Sequence, residues 1–154
     1  MRGYGQSACL CDAFDSKANV DLFLHYAAET EEILDVGAGT GRIAIPLAEQ
    51  GIRVVCVEPS PAMRGQLQER LERWPHLLDR ISLVSADAAS FELGVTLPAA
   101  FLSGVFDHFL DREERLASLK NVIRHLEPGG ILVFDVFLGL MTSSPLLPAG
   151  EFRR

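Results

Sequence analysis

The sequence is poor in lysine and has no long apolar run. Two of its 154 residues are lysine, and 14 basic residues stand against 21 acidic ones, for a formal net charge of -7. Such a composition lacks the basic patch that a phosphate backbone needs, so we expect no nucleic-acid partner. No apolar run approaches the roughly 20 residues of a membrane helix, and residues 1–15 lack the apolar centre of a signal sequence. We therefore expect a cytoplasmic protein without membrane contact.

Cysteine is also scarce, and its positions do not predict a metal site. Cys9 and Cys11 are separated by one residue, and Cys56 lies inside an apolar run. None of the four histidines has the paired spacing that is common in zinc sites. We predict no bound metal, and we expect the thiols to be reduced in the cytoplasm.

The sequence does contain short apolar runs that alternate with amphipathic segments. The predicted strands are ILDV (33–36), RVVCV (53–57), ISLVS (81–85), PAAFLSG (98–104) and ILVFDVF (131–137). Because these runs are apolar almost throughout, they indicate a parallel sheet with both faces covered. Right-handed crossovers then predict a doubly wound, mostly parallel α/β fold with helices on both faces and five strands.

Local signals predict where the helices begin and end. Ser60 followed by Pro61 is typical of a helix start, and Gly51 of a left-handed helix end. Asp111 and Glu114 form a capping box for the last helix, which the segment Pro-Gly-Gly at 128–130 should end. The predicted buried face of that helix consists of Leu116, Leu119, Val122, Ile123 and Leu126.

A glycine-rich loop, GAGTG (37–41), lies between the first strand and its helix. Ligands bind at the carboxyl ends of strands in open α/β sheets, and glycine lets the backbone approach them closely. The dinucleotide pattern G-x-G-x-x-G requires a third glycine where Arg42 stands, which disfavours a nicotinamide-dependent oxidoreductase. The loop has instead the pattern G-x-G-x-G, with Asp35 two positions before the first glycine.

The stretch ILDVGAGTGRIAIPLAEQG resembles motif I of the class I S-adenosylmethionine (SAM)-dependent methyltransferases. The similarity continues in order through VVCVEPSPAM, SADAASFEL and HLEPGGILVFDVF, and it covers about residues 30–137. The resemblance implies a Rossmann-like fold, SAM as the methyl donor with S-adenosylhomocysteine as its product, and a small-molecule acceptor.

The resemblance also implies a donor-binding set. Glu58, 17 residues after Gly41, would accept hydrogen bonds from both ribose hydroxyls; its alternative is a solvated loop residue. Asp87 and Ala88 would meet the adenine, although a short acid after a strand is often a cap. Asp35 would orient the loop or the donor's amino group. The full set is Asp35, Gly37, Ala38, Gly39, Gly41, Glu58, Pro59, Met63, Asp87, Ala88 and Ser103, in which Met63 has the alternative of a core residue.

The segment after the fourth strand resembles the N-S-F-x-H-L stretch of small-molecule methyltransferases, with Gly104 in place of the asparagine. His108 is the predicted catalytic residue, as a general base or as a group that orients the acceptor, because imidazole changes charge near neutral pH. Its alternative is a bond to a local backbone group. Asp107 is a second acidic candidate, and Phe106 and Phe109 would exclude water or belong to the core.

We predict a single domain over residues 1–154, with a lid and helix in 1–30, a core in 31–137 and an irregular tail in 138–154. Cys11-Asp12 stands where relatives have a Tyr-Asp pair. The tail is too short for a helix and two more strands, so the 131–137 strand would expose an apolar edge. A fragment, a homodimer that covers this edge and a natural short form all remain open. So does a second function, a SAM-binding module that is catalytically degenerate and acts through association.

Overall fold

The computed structural model describes residues 19–109 and 111–136, which form one five-stranded parallel sheet with helices around it. The strands are β1 (Glu32–Val36), β2 (Arg53–Val57), β3 (Ile81–Val84), β4 (Leu97–Leu102) and β5 (Leu126–Phe134), in the spatial order β3-β2-β1-β4-β5. The helices are α1 (Val20–Ala27), α2 (Ala44–Glu49), α3 (Pro61–Arg73) and α4 (Arg112–Arg124), with 3₁₀ turns at Pro75–Leu77 and Phe106–His108. The predicted fold class is confirmed.

The sheet separates two hydrophobic cores. Neighbouring residues of a strand point to opposite faces, so Ile33 joins one core and Leu34 the other. The first core contains Phe23 of α1 and Leu67 of α3, and the second contains Val122 of α4. Strand order reverses between β1 and β4, which is where a crevice for ligands is expected.

Two predicted helix starts are confirmed by their capping bonds. The Ser60 hydroxyl accepts a hydrogen bond from the Met63 N–H at 3.4 Å, and Pro61 follows as the first residue of α3. The Asp111 carboxylate accepts one from the Glu114 N–H at 2.8 Å. Each cap satisfies a backbone donor that has no partner within its own helix.

The predicted end of α2 is also confirmed. Gly51 has φ +93°, its N–H donates to the Ala48 carbonyl at 3.0 Å, and the Ile52 N–H donates to the Leu47 carbonyl at 3.2 Å. This pair of bonds is the Schellman arrangement, which favours glycine. Pro46 is tolerated because it stands in the first turn of α2, where a backbone N–H has no helical partner.

The predicted start of the fifth strand was wrong. β5 begins at Leu126, five residues before the predicted position, because the Pro-Gly-Gly segment stays beside β4. Leu97 pairs with Leu126 and Ala99 with Ile131, so the extra residues form an irregularity in the register. A Cβ on Gly130 would lie 3.0 Å from the Pro98 carbonyl oxygen. A side chain at this position would therefore crowd the contact between the two strands.

The predicted buried face of α4 was also wrong in part. Leu116 and Ile123 are exposed, whereas Ser118 and Asn121 are buried beside Val122. The helix is therefore rotated so that polar side chains, which the apolar pattern did not indicate, face the rest of the domain.

β5 is one of the two outer strands of the sheet among the residues that the structure describes, and β3 is the other. Ile131 and Phe134 of β5 are exposed. The predicted lid pair Cys11-Asp12 and the predicted tail of residues 138–154 lie outside the described residues, and the division into lid, core and tail stays a prediction.

Candidate functional site

Two adjoining cavities lie at the carboxyl ends of β1, β2 and β4 and form a trough across the point where strand order reverses. The first, of about 100 Å³, and the second, of about 220 Å³, share Gly37, Gly39, Met63 and Gly104. The first is also lined by Glu58, Pro59, Ala88, Val105, His108 and Phe109. The second is also lined by Asp35, Ala38, Thr40, Arg42, Ile43 and Ser103.

The three glycines of the loop have different structural roles. A Cβ on Gly37 would lie 2.3 Å from Val105 Cγ2, and one on Gly41 would lie 2.5 Å from Leu67 Cδ1. A Cβ on Gly39 would meet nothing nearer than a backbone oxygen at 3.9 Å, although its φ of +56° still favours glycine. Gly37 and Gly41 therefore permit close packing of the protein, whereas Gly39 faces the open space of the trough.

Glu58, directly after β2, is a buried and hydrogen-bonded carboxylate. Its Oε2 accepts from the Gly39 N–H at 2.9 Å and its Oε1 accepts from the Ser60 N–H at 2.8 Å. The Arg64 guanidinium donates to the Glu58 backbone carbonyl at 2.7 Å. The alternative of a solvated loop residue is wrong, since Glu58 is 6% exposed. Each carboxylate oxygen retains capacity for a further donor such as a hydroxyl.

Asp35, at the end of β1, is buried without full satisfaction. It is 2% exposed, and its Oδ2 has no hydrogen-bond partner among the described residues. Burial raises the pKa of the Asp35 carboxyl to about 7; the nearby Arg42 charge lowers this pKa and the Glu58 charge raises it. A buried carboxylate with an unpaired oxygen is costly, and this one lines the second cavity, so it is suited to a cationic group there.

A polar cluster lies beside the second cavity, which two of its members, Arg42 and Ser103, line. Arg42 donates to Asn19 Oδ1 at 2.6 Å and to the Ser103 hydroxyl. The Ser103 hydroxyl donates to Asp135 Oδ2 at 2.8 Å, and Asp135 also accepts from the Asn19 amide and the Gly104 N–H. The cluster joins the start of α1 to the ends of β4 and β5. Sequence reasoning missed Asn19 and Asp135, because no local pattern relates residues 116 positions apart.

At the first cavity, Ala88 is placed as expected and Asp87 is not. Ala88 lines the cavity, but the Asp87 carboxylate accepts from the Ala89 N–H at 2.9 Å and caps its own turn. Pro59 and Met63 both line the trough, and Met63 is also buried in the protein. Of the eleven predicted donor-binding residues, the trough brings together all except Gly41 and Asp87.

His108 occupies the mouth of the first cavity. It ends the 3₁₀ turn Phe106–His108, and its backbone N–H donates to the Val105 carbonyl at 3.0 Å. Phe109 is buried and lines the same cavity, while the Phe106 ring stacks on Phe134 with a centroid distance of 5.0 Å. Asp107 is exposed and lies outside the lining of both cavities. Of the two predicted catalytic residues, the structure therefore brings His108 to the trough.

Residues 19–109 and 111–136 contain neither a metal-binding cluster nor a membrane-spanning helix. Within these ranges, no three His, Cys, Asp or Glu side chains are grouped so that they could hold a metal ion. None of the helices in the same ranges has the length and apolar character needed to cross a membrane.

The parallel sheet, the glycine loop at its reversal point and the carboxylate after β2 together define a Rossmann-like nucleotide-binding domain. The profile of the methyltransferase domain family matches residues 33–130. The chain therefore belongs to the methyltransferase domain family.

Three relatives illustrate the similarity. The cypemycin N-terminal methyltransferase of Streptomyces sp. is 32% identical over 113 residues, which are 72% of this chain and 44% of the relative. A glycopeptide N-methyltransferase, MtfA, solved with SAM, superposes with a TM-score of 0.68 at 26% identity, over 75% of this chain and 53% of that one. The sugar N-methyltransferase KedS8 of Streptoalloteichus sp. superposes with a TM-score of 0.71 at 26% identity, over 89% and 56%. The chain thus spans about half the length of these relatives.

Proposed function

We propose that the chain binds SAM along the trough and transfers its methyl group to a nitrogen atom of a small-molecule acceptor. The observation that carries the proposal is the pair of buried carboxylates in one trough, Glu58 with both oxygens fixed and Asp35 with one oxygen unpaired. A nucleoside with a cationic amino-acid arm offers a diol to the first and an ammonium group to the second. Both carboxylates therefore fit this donor.

The remaining lining residues have matching roles in the proposal. Pro59, Met63 and Ala88 surround the apolar part of the first cavity, which suits a flat purine ring. Gly39 leaves the space between the two cavities open, so that the donor's sugar can lie against the loop backbone. Ser103, held by Asp135 and Arg42, borders the amino-acid arm.

SAM supplies a methyl group on a positively charged sulfur, and transfer of this group depends mainly on alignment and on exclusion of water. His108 lies at the cavity mouth, where an acceptor would enter. Its imidazole would take a proton from an ammonium acceptor, and the lone pair of the resulting amine would then attack the methyl group as the bond from sulfur to methyl breaks. Phe109 lines this cavity and packs against the Phe106 ring, so the pair would restrict water there in the proposed complex. Asp107, which lies outside the cavity lining, has no part in the proposed reaction.

The proposal of a nitrogen acceptor is supported by the three relatives. Their names describe an N-terminal methyltransferase of cypemycin, a glycopeptide N-methyltransferase and a sugar N-methyltransferase. The carriers differ, while the nucleophilic atom is the same. The negative net charge of the chain also favours an acceptor that arrives as a cation.

The first test is calorimetric titration of the full chain with S-adenosylhomocysteine, with NADH as the control ligand. We expect micromolar binding of the former and none of the latter. Absence of S-adenosylhomocysteine binding to a folded chain would contradict the proposed donor site.

The second test replaces His108 by alanine in an assay with an amine acceptor found by screening. We expect turnover to fall at least about a hundredfold while donor affinity is retained, because the proton acceptor alone is lost. Unchanged turnover would assign His108 a structural role.

A second candidate is a SAM-binding module that acts through association without turnover. The exposed Ile131 and Phe134 on the outer strand β5 favour it, since an apolar edge invites a partner. We also propose that the protein forms a homodimer that covers this edge and that it is located in the cytoplasm. Donor binding without methyl transfer to any screened amine would support this candidate over the enzyme.

A further inference from the structure

The segment that follows β3 is held by a side chain from α4. Asn121 of this helix is buried, and its Nδ2 donates to the Ala88 carbonyl and to the Phe91 carbonyl, both at 3.1 Å. Its Oδ1 accepts from the Arg124 guanidinium at 2.8 Å. Both N–H groups and the oxygen of the amide are therefore in use, and the two donors go to the segment that carries Ala88.

One turn further along, His125 holds the same segment. Its Nδ1 lies 2.8 Å from the Asn121 carbonyl oxygen, and the Leu93 N–H donates to its Nε2 at 3.3 Å. A single neutral tautomer, protonated on Nδ1, satisfies both contacts. The ring also packs on Phe91 with a centroid distance of 4.5 Å, and the Glu92 carboxylate lies 3.3 Å from Nε2.

The bonds immobilise the backbone next to the first cavity. The peptide unit between Ala88 and Ala89 is fixed on both sides, because Asn121 holds its carbonyl and the Asp87 carboxylate holds its N–H. Ala88 lines the cavity on one side of this unit. The orientation of the Ala88 backbone toward the cavity is therefore set by a residue that does not line the trough.

Packing alone does not account for Asn121. A buried amide costs free energy unless its polar atoms are all bonded, and an apolar residue at this position would fill the core without that requirement. Val122, the next residue of α4, is fully buried and apolar. The two neighbours thus separate two functions of the helix, one in packing and one in holding the segment after β3.

We propose that Asn121 is a positioning residue for purine recognition: it holds the segment after β3 so that the Ala88 backbone meets the purine edge of the donor, and His125 supports it. The inference rests on the proposed function, because it takes a SAM-type nucleoside as the occupant of the first cavity. A correctly held Ala88 backbone distinguishes an adenine edge, whose ring nitrogen accepts a hydrogen bond, from a hypoxanthine edge, whose ring nitrogen donates one.

The test measures this discrimination in the full chain. S-adenosylhomocysteine and S-inosylhomocysteine are titrated into the unchanged protein, Asn121→Asp and Val122→Ala, at a temperature where circular dichroism shows all three to be folded. Asn121→Asp keeps the size of the side chain and removes both amide donors. We expect it to weaken S-adenosylhomocysteine binding at least tenfold and to reduce the preference for adenine at least fivefold. Val122→Ala should lower thermal stability and retain the preference.

His125→Phe keeps the ring on Phe91 and removes the acceptor for Leu93, so it provides a second variant if Asn121→Asp does not fold. We expect it to lower the preference for adenine by at least twofold. An unchanged preference in Asn121→Asp, or in His125→Phe where that variant replaces it, would overturn the inference. If the unchanged protein binds neither ligand, the proposed donor site itself fails, which is a separate result.

Discussion

Glu58 follows β2 and Asp35 lies near the end of the neighbouring β1; both are buried, yet their hydrogen bonding differs. Glu58 accepts two backbone N–H bonds, one from the glycine loop and one from the start of α3. Asp35 leaves Oδ2 unpaired, and burial raises its pKa to about 7. Both oxygens of the Glu58 carboxylate accept hydrogen bonds, whereas Oδ2 of Asp35 has no hydrogen-bond partner among the described residues.

The difference shows which end of the trough is pre-organised. Glu58 is held in position before any ligand binds, so a neutral diol can add to it without rearrangement. In the proposed complex the ligand's ammonium group would supply a partner for Asp35 Oδ2, so the contribution of Asp35 would depend on its own ionisation and on the ligand's charge. The ribose end should therefore respond to geometry, whereas the amino-acid end should respond to pH.

The most severe change affects both ends at once. Gly39 lines both cavities and its N–H binds Glu58. Gly39→Val should reduce S-adenosylhomocysteine binding below calorimetric detection, since the side chain would fill the open space and disfavour φ +56°. Circular dichroism should show a folded chain; by contrast, Gly37→Ala should lower thermal stability, because its Cβ would lie 2.3 Å from Val105 Cγ2 and its φ of +76° disfavours alanine. Normal affinity in Gly39→Val would mean that the glycine loop is not part of the binding site.

The next largest effect belongs to the ribose end. Glu58→Ala should weaken S-adenosylhomocysteine binding by about 1.5–3 kcal/mol, or about tenfold to 150-fold, because charge-assisted bonds are lost. Glu69→Ala, which removes an exposed negative charge on α3, is the matched control and should leave affinity unchanged. Calorimetry of the unchanged protein and the two variants measures these affinities. A loss below about 0.3 kcal/mol would leave Glu58 with a purely structural role in the loop.

The sequence predicts the ribose end better than it predicts the other. Gly39 and Glu58 stand at fixed positions after two consecutive strands, so the local order of strand, loop and acid was enough to place them together. Arg42 bonds directly to Ser103, and the two residues share this cluster with Asn19 and Asp135, which come from opposite ends of the described chain. Such a cluster depends on the order of strands in the sheet, which local patterns do not encode.

The errors on α4 and β5 have the same origin. Leu116 and Ile123 follow a helical apolar period but are exposed, because the buried side of α4 is determined by Asn121, which binds carbonyls about 30 residues away. β5 begins at Leu126 because the Pro-Gly-Gly segment lies alongside β4 within the strand pairing. In both cases a tertiary contact overrides the local pattern.

The amino-acid end gives a pH-dependent prediction. If the ligand's ammonium binds the ionised Asp35, affinity for S-adenosylhomocysteine should rise about twentyfold from pH 5.5 to pH 7.5, as a carboxyl with a pKa of about 7 ionises. In Asp35→Asn this rise should be absent. Calorimetry at both pH values and at the same ionic strength measures the change in affinity. An equal rise in both proteins would mean that Asp35 does not bind the ligand's ammonium group.

Stability of the free protein should change with the opposite sign. The Asp35 pKa is about 7 in the folded chain and 3.8 as a model value, so the folded state binds the extra proton between these pH values. The free energy of unfolding should therefore fall as pH rises from about 4 to 7, by at most about 4 kcal/mol from this group. Asp35→Asn should be more stable than the unchanged protein at pH 8 in chemical denaturation. A less stable variant would mean that the carboxylate has a partner in the free protein.

The smallest expected effect is a change in the stability of α3 that leaves ligand binding in the trough unchanged. Gly65 lies inside α3, and a Cβ there would meet no atom within 4 Å. Gly65→Ala should raise the free energy of unfolding by about 0.5–1 kcal/mol, because alanine loses less backbone entropy in a helix. Since the Ser60 and Met63 contacts at the start of α3 are untouched, S-adenosylhomocysteine affinity at pH 7.5 should stay the same. A change in affinity would mean that the position of Glu58 depends on the mobility of α3. The geometry of Glu58 would then be fixed only when the ligand is bound, and not in the free protein.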